Sequence, residues 1–411
     1  MGAFARRAGV VAAPFLLAAT LAQAAAGARP AIALRPYMGV DTWYAFGPAI
    51  DERTVVGLTN AVVHRGLKAA GYRYVWIDGG WWSGTRDRSG KIALDRTQWP
   101  HGMRWLTAYI HSRGLLAGIY TDAGRQGCAN GGSYGHYQRD ADTFAGWGFD
   151  AVKADFCGAS TMGLHPRVWY RNFASAIRHD HPRRLMVFNL CNGEVPGKHG
   201  PGNPTYADSA YASYSYAPAI AQSWRTGPDV GAPGQVGFAG VLRNLDLDAA
   251  HPEAARPGHW NDPDYLVPDE GMTPLQARAQ FTMWAILAAP LVVSEDLGRA
   301  PRATVAMLTN REAIRIDQDP LGLQGHRARR IGISEIWVKS LANGDRAVAF
   351  LNRGLVAHTL QATGATIGLH GHRTFLVRGV WGHRTARVAG RIEETVPPQG
   401  AVLLRVSARG A

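Results

Sequence analysis

The chain alternates short apolar runs with stretches of helical period. Runs of strand length fall at Tyr37–Trp43, Tyr72–Asp78, Leu116–Asp122, Ala151–Cys157, Leu185–Cys191, Ala221–Arg225, Asp264–Val267 and Ala289–Ser294. Between them lie helical patterns over about residues 52–70, 103–112, 137–146, 166–178, 274–287 and 302–317. In the first of these, Val55, Val56, Leu58, Val62, Val63 and Leu67 form one apolar face, and Gly71 sits where a C-cap belongs. Strands that alternate with helices build βαβ units and a parallel sheet, and eight of them predict a (β/α)8 TIM barrel. After Gly322 the period falls to two. Short alternating runs at Glu335–Lys339, Ala347–Asn352, Thr374–Val380 and Ala401–Val406, separated by turn residues, predict a C-terminal antiparallel β-sandwich domain. The expected division is a leader over residues 1–24, a barrel over 33–325 and the β domain over 326–411.

The leader is read from its order of features. Arg6 and Arg7 precede an apolar run from Val10 to Leu21, and Ala22-Gln23-Ala24 supplies a small-x-small cleavage site. The run is short and rich in alanine, so it predicts export, periplasmic or extracellular, without stable membrane insertion once cleaved.

Charge changes the picture little. The chain has 44 Lys plus Arg against 31 Asp plus Glu, a net +13, but the basic residues are scattered and only Arg183-Arg184 and Arg327–Arg330 cluster. No nucleic-acid partner is expected. The 15 histidines show no HExxH spacing and the three cysteines no CxxC, so neither a metal nor a cofactor is expected. Three cysteines, Cys128, Cys157 and Cys191, allow at most one internal bridge. The 13 Trp and 14 Tyr suit a carbohydrate substrate, because pyranose C–H faces stack on aromatic rings, although most must fill the core.

The strand ends carry the candidate chemistry. Several apolar strands end in a polar residue: Asp78, Asp122, Asp155, Asn189 and Arg225. In a (β/α)8 barrel the C-terminal strand ends line one pocket, so such residues are candidates for catalysis and binding. Glycoside hydrolysis needs two carboxyl groups astride the scissile bond, but composition alone does not choose between the many pairs.

Seven segments, in order and at fitting spacing, resemble glycoside hydrolase family 27, the α-galactosidase family. They are Met38–Trp43 (MGVDTW), Tyr74–Asp78 (YVWID), Gly118–Gly124 (GIYTDAG), Lys153–Cys157 (KADFC), Trp260–Asp264 (WNDPD), Trp284–Leu291 (WAILAAPL) and Asp317–Gly322 (DQDPLG). The resemblance implies a retaining, exo-acting glycosidase that cleaves terminal α-D-galactosides by double displacement. It implies Asp155 as nucleophile and Asp229, in Ser223–Asp229 (SWRTGPD), as general acid/base. Trp43, Asp78, Tyr120, Lys153, Arg225 and Asp264 are the implied sugar-binding residues. Cys128 and Cys157 match the family's disulfide, which leaves Cys191 a free thiol because Ala221 stands where its partner would be.

Two departures bear on the sugar. The family's Ile-Asp-Asp reads Ile77-Asp78-Gly79 here, and its Cys-Glu-Trp reads Cys191-Asn192-Gly193. The first removes a carboxylate near C6, and opens space there unless a neighbour such as Trp82 or Asp41 fills it. The same chemistry on a β-L-arabinopyranoside or an isomalto-type α-glucan therefore stays open as an alternative. A non-catalytic carbohydrate-binding barrel is a remoter one, since both implied catalytic acids are present.

Overall fold

The computed structural model describes Gly2 and residues 32–179, 185–192 and 212–408. The expected leader, apart from Gly2, lies outside the described residues, as do Arg183, Arg184 and Gly193. Eight parallel strands form the first sheet: β1 (Met38–Asp41), β2 (Tyr74–Ile77), β3 (Leu116–Asp122), β4 (Ala151–Asp155), β5 (Val187–Cys191), β6 (Ser223–Arg225), β7 (Trp260–Asp262) and β8 (Leu291–Val293). The hydrogen-bonded order is β8-β1-β2-β3-β4-β5-β6-β7. The strands read as near-continuous apolar runs because both faces of a parallel sheet are covered.

The seventh strand corrects the sequence reading. It was expected at Asp264–Val267, yet the pairing with β6 is made by Trp260–Asp262. Asp264 then takes φ +90°, a left-handed value uncommon outside glycine, and breaks the strand. Beyond this kink Leu266 pairs parallel with Val293 and so joins the two end strands of the sheet. The apolar segment noticed in the sequence is thus the closing stitch, and the polar-looking WNDPD run supplies the strand.

Helices follow most strands: α1 (Glu52–His64), α2 (Met103–Ser112), α3 (Tyr137–Trp147), α4 (Pro166–His179), α5 (Phe238–Asp248), α6 (Pro274–Leu287), α7 (Arg302–Leu308) and α8 (Arg311–Asp317). Asp51 starts α1 by accepting from Thr54 N at 2.7 Å. The helix expected over residues 52–70 stops at Arg65, where Gly66 at φ +86° resets the chain before one more turn, Leu67–Ala70. The helix expected over 302–317 is likewise two, because the Asn310 side chain caps α8 by accepting from Glu312 N and Ala313 N. Helix α5 was missed in the sequence.

Helix α6 is buried on nearly every side, as a helix apolar all round must be. Thr273 and Gln276 form a reciprocal capping box at its start, with Pro274 in its first turn. Its outer face meets the second domain, whose strands are β9 (His326–Ile331), β10 (Ser334–Ser340), β11 (Arg346–Asn352), β12 (His358–Thr363), β13 (Thr374–Gly379), β14 (Thr385–Ala389), β15 (Arg391–Val396) and β16 (Ala401–Ser407). Six pair in the order β9-β10-β11-β16-β13-β14, and β12 pairs with β15 to make the facing sheet. Trp337, Ala349, Leu351 and Leu403 share one apolar cluster with the barrel, whereas Ile336, Phe350, Phe375 and Leu404 pack inside the sandwich. Full burial of a side chain such as Leu351, Ile336 or Phe350 contributes about 1.5–3 kcal/mol.

Candidate active site

The C-terminal ends of the barrel strands surround a cavity of about 320 Å³, lined by Trp43, Asp78, Tyr120, Lys153, Asp155, Arg225, Asp229 and Asp264 among others. All the carboxyl and sugar-contact residues expected from the sequence are therefore in one place. Of the five polar strand ends, Asp78, Asp155 and Arg225 face the cavity. Asp122 instead accepts from the backbone of Gly124, Gly158 and Ala159, and so holds the loops beneath the site. Asn189 points into the barrel and donates to Tyr37, Ser223 and Asp262.

One wall comes from β2 and β4. Period-two alternation brings Lys153 and Asp155 to the same face of β4. Lys153 Nζ donates to Asp78 Oδ2 at 2.7 Å and lies 3.9 Å from Asp155 Oδ1. Its ammonium sits over the rings of Tyr265, 5.0 Å from the centroid, and Tyr120, 5.6 Å away. Burial works against the charge on Lys153, but Asp155 and Asp78 overcome it and hold its pKa high. Burial also works against Asp78, yet the Lys153 charge and hydrogen bond, with the Gly79 N–H, keep its carboxyl below the usual range. For Asp155 burial wins: its carboxyl is pushed up to about 7, although Lys153 pulls the other way.

Asp155 is also held by the cystine. Cys128 and Cys157 are bonded, with Cα atoms 5.2 Å apart. The Cys128 sulfur lies 3.1 Å from Asp155 Oδ2, a van der Waals approach because a disulfide sulfur carries no proton. The bridge pins the loop after β3 against the turn after β4. Gly158 makes that packing possible, since a Cβ there would lie 1.7 Å from Gln126 O. Cys191 is a free thiol, and burial pushes its pKa up, so it stays protonated.

The other wall comes from β6 and β7. Arg225 NH1 lies 2.9 Å from Asp264 Oδ1, and its NH2 donates to Asp229 Oδ1 at 3.1 Å. Asp264 Oδ2 accepts from Val230 N at 2.7 Å, so the kinked residue fixes both the guanidinium and the loop that carries Asp229. Burial pushes Asp264 up to about 7 against the pull of Arg225. Its positive φ is strain stored at a functional position, retained because these contacts over-determine it. Asp229 differs from its neighbours in being 62% exposed along its side chain, while Arg225 is 3% exposed.

Sequence reasoning missed Tyr265, Tyr44 and Ala129 in the lining. Tyr265 donates to Asp78 Oδ2 at 3.0 Å and helps form the floor. Its only signal was its place directly after the WNDPD run. The gap expected at Gly79 is narrow: a Cβ there would meet Ala129 Cβ at 3.1 Å and Trp43 Cζ3 at 3.5 Å. Neither Trp82 nor Asp41 fills it, and Ala129, from the loop pinned by the disulfide, does.

A parallel barrel whose mouth gathers paired carboxyl groups around a cavity of this size has the groups that glycoside hydrolysis requires. The family described as α-galactosidase A matches residues 38–319, and the α-galactosidase C-terminal β-sandwich domain matches residues 332–406. The chain is 36% identical over 405 residues to α-galactosidase A of Cellvibrio japonicus, covering 94% of this chain and 95% of that protein. It is 33% identical over 407 residues to α-galactosidase 2 of Arabidopsis thaliana, covering 97% of each. The crystal structure of α-galactosidase I from Mortierella vinacea superposes with a TM-score of 0.80 at 27% identity, over 92% of this chain and 98% of that one. The protein belongs to the α-galactosidase family, glycoside hydrolase family 27.

Proposed function

We propose that the protein is a retaining, exo-acting α-galactosidase in which Asp155 is the nucleophile and Asp229 the general acid/base. The observation that carries the assignment is the contrast between these two carboxyls across one cavity. Asp155 is buried beside a fixed ammonium and a rigid disulfide, as a group that must attack a single carbon needs to be. Asp229 is exposed at the rim, where a proton can pass to a departing alcohol and return from water. In the first step an Asp155 oxygen bonds to the anomeric carbon, the glycosidic C–O bond breaks, and the leaving oxygen takes the proton of Asp229. In the second step water gives a proton to Asp229 and attacks the same carbon, and the ester to Asp155 breaks. Two inversions retain the anomeric configuration.

Asp78, Lys153 and Tyr265 close the floor, so the pocket admits the end of a chain, which supports exo action. Asp78 and Lys153 bind ring hydroxyls in this reading, Arg225 and Asp264 orient the Asp229 loop and the sugar, and Trp43 and Tyr120 form its apolar walls. The likeness to α-galactosidases at a third identity over nearly the whole chain supports galactose as the glycone, and the narrow gap at Gly79 supports it too. Among the described residues no helix is long and apolar enough to cross a membrane. The order of charges, apolar residues and small residues in the first 24 positions supports export.

Proton NMR of aryl α-galactoside hydrolysis tests the reaction. The first-formed sugar should be α-galactose, and β-galactose as the first product would overturn the double displacement. A panel with aryl β-L-arabinopyranoside and aryl α-glucoside tests the glycone, with the galactoside expected to be hydrolysed with the highest kcat/KM.

A further inference from the structure

The seam between the barrel and the sandwich holds a second concave region of about 690 Å³. It lies at the opposite end of the barrel from the catalytic pocket. Arg35, on its wall, stands three residues before β1 begins, and Gln318, also lining it, donates to Pro36 O at 2.7 Å. Four arginines line it: Arg35 from the entry to β1, Arg315 from α8, Arg378 from β13 and Arg405 from β16. Arg378 and Arg405 stand directly opposite one another in the antiparallel register. Like charges in that relation are destabilising unless something offsets them.

The carboxylates here offset Arg378 and, at longer range, Arg405, and leave Arg35 and Arg315 in excess. Glu312 is engaged by Arg378, which donates to both its oxygens at 2.7 and 3.0 Å, and by His383 at 2.8 Å. Asp319 accepts from the backbone N–H groups of Leu321 and Ala342. Arg405 reaches Asp345 only at 3.6 Å, with half its side chain exposed. The side chains of Arg35 and Arg315 are exposed and make no hydrogen bond or ion pair among the described residues. Between the arginines lies an apolar floor of buried Ile316, Leu341 and Val380.

We propose that this cleft is a non-catalytic binding site for an anionic polysaccharide, which docks on the side of the enzyme away from the active site. A guanidinium presents a planar fork that matches a carboxylate or sulfate group with two hydrogen bonds. The apolar floor offers a surface to the C–H faces of the pyranose rings that carry those groups. Among the described residues no aromatic side chain lines the cleft, which therefore lacks the stacking platforms that single-stranded nucleic acid needs. The net charge of +13 adds a long-range attraction to any polyanion, and the cleft concentrates it. The proposal does not depend on the identity of the sugar that is hydrolysed.

Affinity electrophoresis in gels containing polygalacturonate, dextran sulfate or neutral dextran, at about 50 mM salt where charges are weakly screened, tests it. The protein should be retarded by at least one of the anionic polymers and not by dextran, and the stronger of the two identifies carboxylate or sulfate as the anion. Arg35→Glu with Arg315→Glu should weaken that binding by about tenfold or more, because two forks are lost and two repulsive charges gained. Arg104→Glu with Arg171→Glu, the same charge change on exposed positions of α2 and α4, should change it by less than about twofold, since scattered surface charges act weakly. Both double variants should hydrolyse an aryl α-galactoside at the wild-type rate. Arg35→Gln with Arg315→Gln repeats the comparison without introduced acids. Equal losses in the two charge-reversed variants would mean that bulk charge does the binding. That result, an absence of retardation, or equal competition by polyglutamate or duplex DNA would each overturn the site.

Discussion

The two walls of the catalytic pocket solve opposite problems. On the β2–β4 side, Asp78, Lys153 and Asp155 are all nine-tenths buried or more, with the Lys153 ammonium 2.7 Å from Asp78 and 3.9 Å from Asp155, so that their charges depend on one another. On the β6–β7 side, Arg225 and Asp264 are equally buried, but the carboxyl they support, Asp229, projects into solvent. A nucleophile gains from a fixed position and a dry surrounding, whereas a group that exchanges protons twice per turnover needs water and some freedom. The difference teaches that, in the proposed mechanism, the same residue type is given two roles by burial.

The sharpest way to break this comparison is to remove each carboxylate in turn. Asp155→Asn should lower kcat by about 10⁴-fold or more on every leaving group, because no covalent intermediate can form. Steady-state rates with aryl galactosides check it, and a variant within tenfold of wild type would displace Asp155 from its role. Asp229→Asn should cost about 10²–10⁴-fold on alkyl galactosides, the range of general acid–base catalysis, and clearly less on an aryl galactoside with a good leaving group. An equal loss on both substrates would show that Asp229 does not protonate the leaving oxygen.

The pH profile sharpens the comparison further. Asp155 must be ionised to attack, so kcat/KM should fall as pH drops through about 7, the value to which burial pushes it. Lys153 pulls that value down. In Lys153→Met the carboxyl should titrate higher, and the acid limb should move to higher pH by about one unit or more, with activity near neutrality reduced about tenfold or more. An acid limb that stays in place would mean that the ammonium does not tune the nucleophile.

The smallest expected effect is at the floor. Gly79→Asp should lower kcat/KM for the aryl α-galactoside by no more than about tenfold, the cost of crowding a filled site, with Ala129 having to give way. A rise in galactoside activity would show instead that the floor is open at Gly79.

Much of this arrangement could be read along the chain. Short apolar runs marked seven of the eight barrel strands, and motif order singled out Asp155, Asp229 and their neighbours. Both properties are local, because a strand's apolar run and a short motif are carried by consecutive residues. The readings that needed correction were those decided by distant contacts. Asp122 and Asp155 end adjacent strands, but only the packing of the Gly158 turn shows that Asp122 serves the backbone while Asp155 faces the cavity. The seventh strand was misplaced because Asp264 adopts a backbone conformation set by Arg225 and Val230, far from it in the chain. Strands β9, β12, β14 and β15 escaped notice since more than half of the residues of each are polar or exposed, and only pairing gives them a sheet. The consequence of Gly79 could not be read at all without Ala129, fifty residues later. The sequence by itself determined most of the barrel elements and their order, and marked the side chains proposed to carry the chemistry, because hydrophobic period and motif are written in neighbouring residues. Tertiary structure alone decided which polar groups meet in the pocket, which acid is dry and which is wet, and what fills the floor, because burial and electrostatic coupling depend on distances between strands that the chain does not connect directly.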